Sequence, residues 1–171
     1  VGGGSFVADA PLGGVSRLLS REVYVNPVDF TDATLPEVVS RIARLRPRAL
    51  RGYTSAICVI AEFLRTAGHP APRVGAIVTG GEQLSDKQRT LIRETFGVEP
   101  FSKYSSFENY EIAMECEEHS GLHVAAEDMV VEIVDDSGRP ARPGEVGRVL
   151  VTSLHEYGMP LIRYDTADEA S

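Results

Sequence analysis

Residues that could bind a nucleotide cluster in the short stretch 104–108. Tyr104 offers an aromatic face on which a base could stack, and Ser105 and Ser106 offer hydroxyls for phosphate oxygens. Glu108 is a carboxylate, a hard oxygen ligand suited to Mg²⁺ that is held largely by a nucleotide's own phosphates. An aromatic ring, two hydroxyls and a carboxylate within five residues therefore favour a nucleotide ligand.

Two further polar turns accompany this stretch. Gly80 and Gly81 follow an apolar run at 74–78, and they would let the backbone approach a ring or a phosphate where a Cβ would collide. The third turn lies at 163–168, after the last apolar run. Because ligands of open parallel sheets bind beyond the carboxyl ends of the strands, the three turns favour loops that converge on one ligand. A plain strand-to-helix turn is the alternative interpretation of the glycine pair.

The elements that must position these turns alternate between strand and helix up to about residue 120. Helical spacing of apolar residues predicts a helix at 35–45, a second at 57–64, and a third that opens on the capping-box pair Ser85 and Gln88 and ends at Gly97. Short apolar runs predict the strands, at 23–25, 49–50, 74–78 and 98–104. The expected fold class is α/β, a parallel sheet with covering helices.

The pattern changes after Glu118, where helical spacing ends. Strands are predicted at 129–134, 146–152 and 160–164, with no helix between them, so this part should be a small, mostly antiparallel β unit. The expected division of the chain has its seam near Gly121. Its parts are a loop or poorly ordered end at 1–20, an α/β subdomain at 21–120 and a β-rich subdomain at 121–171.

Composition excludes several classes of partner. Residues 74–171 carry eight Lys and Arg against nineteen Asp and Glu, and this acidic half should repel the phosphate backbones of nucleic acids. No stretch resembles a secretory signal or an apolar run long enough to span a bilayer, so a cytoplasmic protein without membrane contact is expected. Cys58 and Cys116 lie far apart and are expected as reduced thiols.

Five stretches resemble motifs of the adenylate-forming enzymes, specifically the phenylacetate–coenzyme A ligase branch and its capsule-biosynthesis relatives. The family patterns are KPxxLxGYPSA, SGExL, YGSxE, ECxxxxGLH and PGExGE with MPLIRYRTGD. The matching stretches are, in the same order, RPRALRGYTSA at 46–56, TGGEQL at 79–84, YSSFE at 104–108, EC with GLH at 115–123, and PGEVGR at 143–148 with MPLIRYDTAD at 159–168. Their common order over most of the chain makes the resemblance specific.

The resemblance implies a role for each matching position. The adenine pocket would be bordered by Gly80, Gly81 and Glu82, and Tyr104 would stack near the base. Ser106 would stand near the phosphates, Glu108 would contact Mg²⁺, Asp168 would accept hydrogen bonds from the ribose hydroxyls, and Tyr53, Thr54 and Ser55 would face the acyl substrate. A carboxylate suits the ribose because it only accepts hydrogen bonds and can serve both hydroxyls.

The implied reaction joins ATP and a small carboxylic acid, an aryl acid among the possibilities, to give an acyl-adenylate and pyrophosphate. The acyl group then passes to a thiol such as coenzyme A. The family's phosphate-binding loop and its smaller C-terminal domain should lie outside these residues, so the chain is expected to be a piece of a longer enzyme and inactive alone. An orphaned sheet edge makes a homodimer possible.

Two local departures leave a second interpretation open. Ala167 stands where the family has glycine before Asp168, and Ser105 stands where it has glycine after Tyr104. If either position needs a positive φ, the side chain costs about 1 kcal/mol, and a shifted Asp168 would bind ribose less well. A degenerate, non-catalytic nucleotide-binding relative is therefore the alternative.

A different class of function would use the cysteine and histidines at 115–123. Cys116, His119 and His123 are close enough in sequence to hold Zn²⁺, with His119 and His123 four residues apart. An exposed acidic loop with incidental histidines is the expectation we favour, because a structural zinc site usually has more than one cysteine.

Overall fold

The computed structural model describes residues 25–171. The chain divides into two compact units, one that ends at Ser102 and one that runs from Lys103 to Ser171. The loop predicted at 1–20 and most of the strand predicted at 23–25 lie outside the described residues.

Between residues 25 and 102, the described part of the first unit, three α-helices follow a short 3₁₀ turn at Pro27–Asp29. They are α1 (Leu35–Leu45), α2 (Thr54–Thr66) and α3 (Asp86–Phe96). The first helix opens at Thr34 with a proline in its first turn, and it ends at Arg46 in the left-handed conformation. The third helix has the predicted capping box of Ser85 and Gln88 and ends at Gly97, whose φ is 72°.

Parallel strands form the centre of the first unit. β1 (Ala49–Tyr53) pairs with β2 (Ala76–Gly80) in parallel, with Leu50 opposite Ile77. Both of these side chains are fully buried, and they belong to the core that α1, α2 and α3 cover. In β1 only Leu50 is buried, and the strand also contains the half-buried Arg51 and Tyr53, whereas β2 has Ile77, Thr79 and Gly80 buried.

The second unit consists of antiparallel strands. β3 (Pro100–Ser106), whose first residues belong to the first unit, pairs with β4 (Tyr110–Glu115), and β4 pairs with β5 (Leu122–Val124). A separate three-stranded sheet contains β6 (Met129–Val134), β7 (Gly147–Ser153) and β8 (Tyr164–Ala170). The core of the second unit contains Ile112 from β4 together with Met129, Val149 and Val151 from the three-stranded sheet. The strand order is β1-β2-β3-β4-β5 in one sheet and β6-β7-β8 in the other, so the predicted fold class is confirmed.

Two predicted boundaries differ from the structure. The units divide between Ser102 and Lys103 instead of near Gly121, because antiparallel pairing already begins with the β3–β4 hairpin. The strand predicted at 160–164 is wrong, since extended pairing starts only at Tyr164. The reason is Arg163, whose φ of 51° breaks the extended backbone just before β8.

No helix within residues 25–171 is long and apolar enough to cross a membrane.

Candidate functional site

The side chain of Glu82 caps the N-terminus of α2 in the first unit. The helix begins at Thr54 after Tyr53, a residue whose side chain makes no capping bond. The Glu82 carboxylate takes over this task, because Oε2 accepts from the Ser55 amide at 2.7 Å and Oε1 accepts from the Ser55 hydroxyl at 2.8 Å. A negative charge at this end of a helix is favoured by the helix dipole. The hydroxyl of the buried Thr54 donates to the Glu82 carbonyl at 3.1 Å.

A cavity of about 340 Å³ lies beside this contact. It is lined by Pro27, Val28, Phe30, Tyr53, Ser55, Ala56, Val59 and Glu82. Apart from Ser55 and the Tyr53 hydroxyl, the polar side chain in this lining is Glu82, both of whose oxygens already accept from Ser55. The structure thus brings Tyr53 and Ser55, predicted on the substrate side, together with Glu82, predicted at the adenine pocket.

The glycine pair lies where the sequence analysis placed it, at the end of β2. Gly80 is the last residue of β2 and is buried, whereas Gly81 is exposed and has a φ of 73°. A side chain at Gly81 would be strained in this left-handed conformation. The turn requirement alone accounts for Gly81, so the adenine-pocket role of the pair stays a prediction.

Ser106, the last residue of β3, and Glu108, in the turn that follows, lie in the second unit. Ser106 Oγ accepts from the Asn109 amide at 3.0 Å and from Asn109 Nδ2 at 3.4 Å. Since a hydroxyl has two acceptor positions and one proton, this proton is left for an outside acceptor such as a phosphate oxygen. Glu108 is exposed, and its charge raises the pKa of the neighbouring Tyr164, which opens β8. The turn therefore lies beside β8.

Tyr104 and Asp168 meet in the same unit. The half-buried ring of Tyr104 packs against the core around Ile112 and Val149, and its hydroxyl donates to Asp168 Oδ2 at 2.7 Å. The same hydroxyl lies 3.1 Å from Thr166 Oγ1. Burial is the main reason that the pKa of Tyr104 rises to about 12, so the phenol keeps its proton at neutral pH.

Asp168 lies in a bulge of β8. The pairing of β7 with β8 shifts register between Arg148 and Leu150, and Ala167, in the bulged part of β8, has a φ of 61°. The Thr166 hydroxyl replaces a lost ladder bond by donating to the Val149 carbonyl at 3.2 Å, and it accepts from the Asp168 amide at 3.3 Å. Asp168 is thus within the last strand, whereas the sequence analysis had placed it just after that strand.

Arg148 and Asp165 support the bulge, and the sequence analysis missed both. Asp165 Oδ1 accepts from the Ala167 amide at 3.0 Å, and Oδ2 accepts from Arg148 Nη1 at 2.6 Å. The Ala167 amide, followed by Arg148, lowers the pKa of Asp165. The position of Asp165 and Thr166 inside the motif at 159–168 was the signal that could have singled them out.

The residues of the zinc alternative are not assembled around a common point. His119 Nδ1 lies 3.0 Å from Glu115 Oε2, while His123 is an exposed residue of β5 opposite Met114. Within residues 25–171, no group of three or more His, Cys, Asp or Glu side chains is placed to hold a metal ion. The geometry therefore gives the zinc alternative no support.

Comparison with known proteins gives matches in sequence and in fold. The chain is 31% identical over 136 residues to phenylacetate–coenzyme A ligase of Thermus thermophilus, a match that covers 76% of this chain and 31% of that protein. No family model matches the chain. Its fold is similar to a 2-hydroxyisobutyryl-CoA ligase in complex with 2-HIB-AMP and CoA, with a TM-score of 0.73 at 18% identity, over 82% of this chain and 32% of that one.

A second solved structure agrees. An anthranilate CoA ligase in complex with anthranoyl-AMP matches with a TM-score of 0.62 at 21% identity, over 73% of this chain and 25% of that one. The fold of the described residues is therefore that of these CoA ligases, and the 31% identical relative shows that the chain belongs to the adenylate-forming enzymes. Within this class, the chain is a relative of phenylacetate–coenzyme A ligase. It spans about a third of the length of the relatives it matches.

Proposed function

We propose that this chain carries the nucleotide side and part of the acid side of an AMP-forming acid–coenzyme A ligase. The reaction joins a carboxylic acid to the α-phosphate of ATP, releases pyrophosphate, and then passes the acyl group to the thiol of coenzyme A. The sequence match to a phenylacetate–coenzyme A ligase supports this reaction, as do related folds described with acyl-AMP and CoA. Such chemistry depends on positioning and charge neutralisation more than on an acid–base relay.

The arrangement of Asp168 is the observation that carries the proposal. One oxygen, Oδ2, accepts from the Tyr104 hydroxyl, and within residues 25–171 the other oxygen, Oδ1, accepts no hydrogen bond. The side chain is exposed. A carboxylate that is held at one oxygen and open at the other suits the neighbouring hydroxyls of a ribose. This is the role that the resemblance assigns to Asp168.

Glu108 and Ser106 suit the phosphate end of the same nucleotide. Bound Mg²⁺ would supply positive charge to the phosphates, with Glu108 as its carboxylate ligand from the protein. An exposed single carboxylate fits a metal ion held mainly by the nucleotide rather than by a protein cage. Ser106 would donate its free proton to a phosphate oxygen, because both of its acceptor positions are directed to Asn109.

The cavity beside α2 suits the apolar part of the acid. Its walls are largely aliphatic and aromatic, and the carboxylate of Glu82 would repel the carboxylate of an incoming acid. The acid would therefore enter with its hydrocarbon part against Phe30, Ala56 and Val59, and an aryl acid fits this description. Tyr53 and Ser55 would border the acid, whereas the buried Thr54 would hold the Glu82 backbone in place through its hydrogen bond to the Glu82 carbonyl.

Ala167 supports a second candidate function, a relative that binds a nucleotide without catalysis. Its φ of 61° lies in the region that favours glycine, the residue found here in the family motif. An alanine at this position stores strain next to Asp168. If this strain displaces Asp168 in the complex, ATP would bind weakly and the adenylation rate would fall.

Acid-dependent exchange of pyrophosphate into ATP, measured in the full-length protein, tests the proposal. Exchange is expected with one or more members of a panel of aryl and aliphatic acids. Glu108→Gln should raise the Mg²⁺ requirement and slow exchange. Asp168→Ala should weaken ATP binding roughly tenfold to hundredfold, as expected for lost bonds to a charged group.

Glu156→Gln is the matched control, because Glu156 is an exposed carboxylate between β7 and β8. It should leave exchange and ATP binding unchanged. ATP binding without exchange for any acid would favour the non-catalytic relative. Wild-type behaviour of both Glu108→Gln and Asp168→Ala would reject the site assignment.

A further inference from the structure

The carboxylate of Asp168 depends on a residue far away in the sequence. Asp168 and Tyr104 are 64 residues apart, and their contact of 2.7 Å joins the bulge of β8 to β3. Within the described part of the chain, the Tyr104 hydroxyl is the side-chain group that holds this carboxylate. The Tyr104 ring is itself packed against the second core, so the hydroxyl has a fixed position.

The backbone around Asp168 gives its side chain little support of its own. Ala167 has a φ of 61°, and the Asp168 amide donates a long bond of 3.3 Å to the Thr166 hydroxyl. In a bulge of this kind, the residue is not fixed by a continuous ladder of strand hydrogen bonds. A carboxylate there would turn among several rotamers unless another group oriented it.

We propose that Tyr104 is a positioning residue for the nucleotide and that its hydroxyl acts through Asp168. By donating to Oδ2, it turns Oδ1 toward the ribose hydroxyls of bound ATP. This inference rests on the proposed function, and it gives the hydroxyl a task separate from the stacking that the resemblance implies for the ring. Thr166 completes the arrangement, since its hydroxyl lies 3.1 Å from that of Tyr104 and also binds the bulge at Val149.

The protonation state of Tyr104 is compatible with this task. A phenol with a pKa of about 12 remains a donor throughout the pH range in which an enzyme of this kind would work. The orienting bond should therefore not depend on pH near neutrality.

Tyr104→Phe separates the two tasks, because it keeps the ring and removes the hydroxyl. In the full-length protein, calorimetry in the presence of Mg²⁺ would give the Kd for ATP and for 2′-deoxy-ATP. The Kd for ATP should rise roughly three- to tenfold, the range expected for one hydrogen bond. The Kd for 2′-deoxy-ATP should rise less than that for ATP, and kcat at saturating ATP should stay close to wild type.

Two controls distinguish positioning from a structural role. Tyr157→Phe removes a hydroxyl from a tyrosine that is 85% exposed, and it should change neither Kd. In an Asp168→Ala background, Tyr104→Phe should have no further effect on ATP binding, because the hydroxyl then has no carboxylate to orient.

The outcomes that overturn the proposal differ from those that overturn the proposed function. If the wild type prefers ATP to 2′-deoxy-ATP and Tyr104→Phe leaves the Kd for ATP unchanged, the positioning role is rejected while the ribose role of Asp168 survives. Equal weakening of both nucleotides, or the same loss in the Asp168→Ala background, indicates a structural role and also rejects it. A wild type that binds neither nucleotide rejects the proposed function and this inference together.

Discussion

Removing the Glu82 side chain should loosen the first turn of α2. The helix has no capping side chain of its own, and Glu82 supplies two acceptors to Ser55, at 2.7 and 2.8 Å. Loss of a helix cap costs about 0.5–2 kcal/mol, and loss of a negative charge at a helix N-terminus costs about 0.3–1 kcal/mol at the surface. Because Glu82 is exposed and water screens the charge term, we expect about 1–2 kcal/mol for Glu82→Ala.

Amide hydrogen exchange measures this effect where it occurs. A loss of one or two kcal/mol corresponds to exchange about 5–30 times faster at Ser55 and Ala56, if these amides exchange by local opening of the first turn. Glu62→Ala is the control, since it removes an exposed carboxylate from the same helix, where Glu62 forms a surface ion pair with Arg65. Exchange at Ser55 that is no faster in Glu82→Ala than in Glu62→Ala would refute the capping role.

Three further predictions concern single side chains. Ala167→Gly should raise the unfolding free energy by about 0.5–1 kcal/mol. Glycine relieves about 1–2 kcal/mol of backbone strain at the positive φ, which exceeds the cost of about 0.4–1 kcal/mol for the greater entropy of the unfolded chain. A lower urea midpoint for the variant would contradict this strain. Asp135→Asn should destabilise the protein at pH 7 but not at pH 2. Its pKa is lowered to about 2, first by the Ser137 hydroxyl and then by the Arg139 amide, so this stabilisation is present above about pH 4 and lost as the pH falls toward 2. An effect of equal size at both pH values in urea titrations would be inconsistent with that origin. Ala56→Phe should partly fill the cavity beside α2 and raise the KM for an apolar acid without changing the Kd for ATP, and an unchanged KM would remove the cavity from the acid site.

Local sequence signals were enough to predict most of the first unit. The capping box of Ser85 and Gln88 and the helix end at Gly97 depend on neighbours within a few residues, and both are found as predicted. The burial of Leu50 and Ile77 follows from short apolar runs between helices. Strand ends were less accurate: the strand predicted at 74–78 is Ala76–Gly80, because apolar runs mark the buried centre of a strand and not its hydrogen-bonded ends.

Features that depend on contacts between residues far apart in the chain could not be predicted from the sequence. The bulge at 166–168 arises because β8 pairs with β7 in two registers, and a strand pattern does not contain the register of its partner. The contact of Glu82 with Ser55 spans 27 residues, and the sequence analysis had assigned the two residues to different parts of the site. The family motifs identified Tyr104, Glu108 and Asp168, but the contact of Tyr104 with Asp168 depends on the tertiary structure, since the two residues are 64 apart in the sequence.

Product analysis of the full-length protein with ATP, Mg²⁺, coenzyme A and a panel of acids tests whether the protein is an AMP-forming acid–coenzyme A ligase. We expect AMP, pyrophosphate and an acyl thioester in equal amounts, formed only when an acid is present and reduced by Asp168→Ala. Formation of ADP and phosphate instead, or binding of ATP without turnover for every acid, would contradict it.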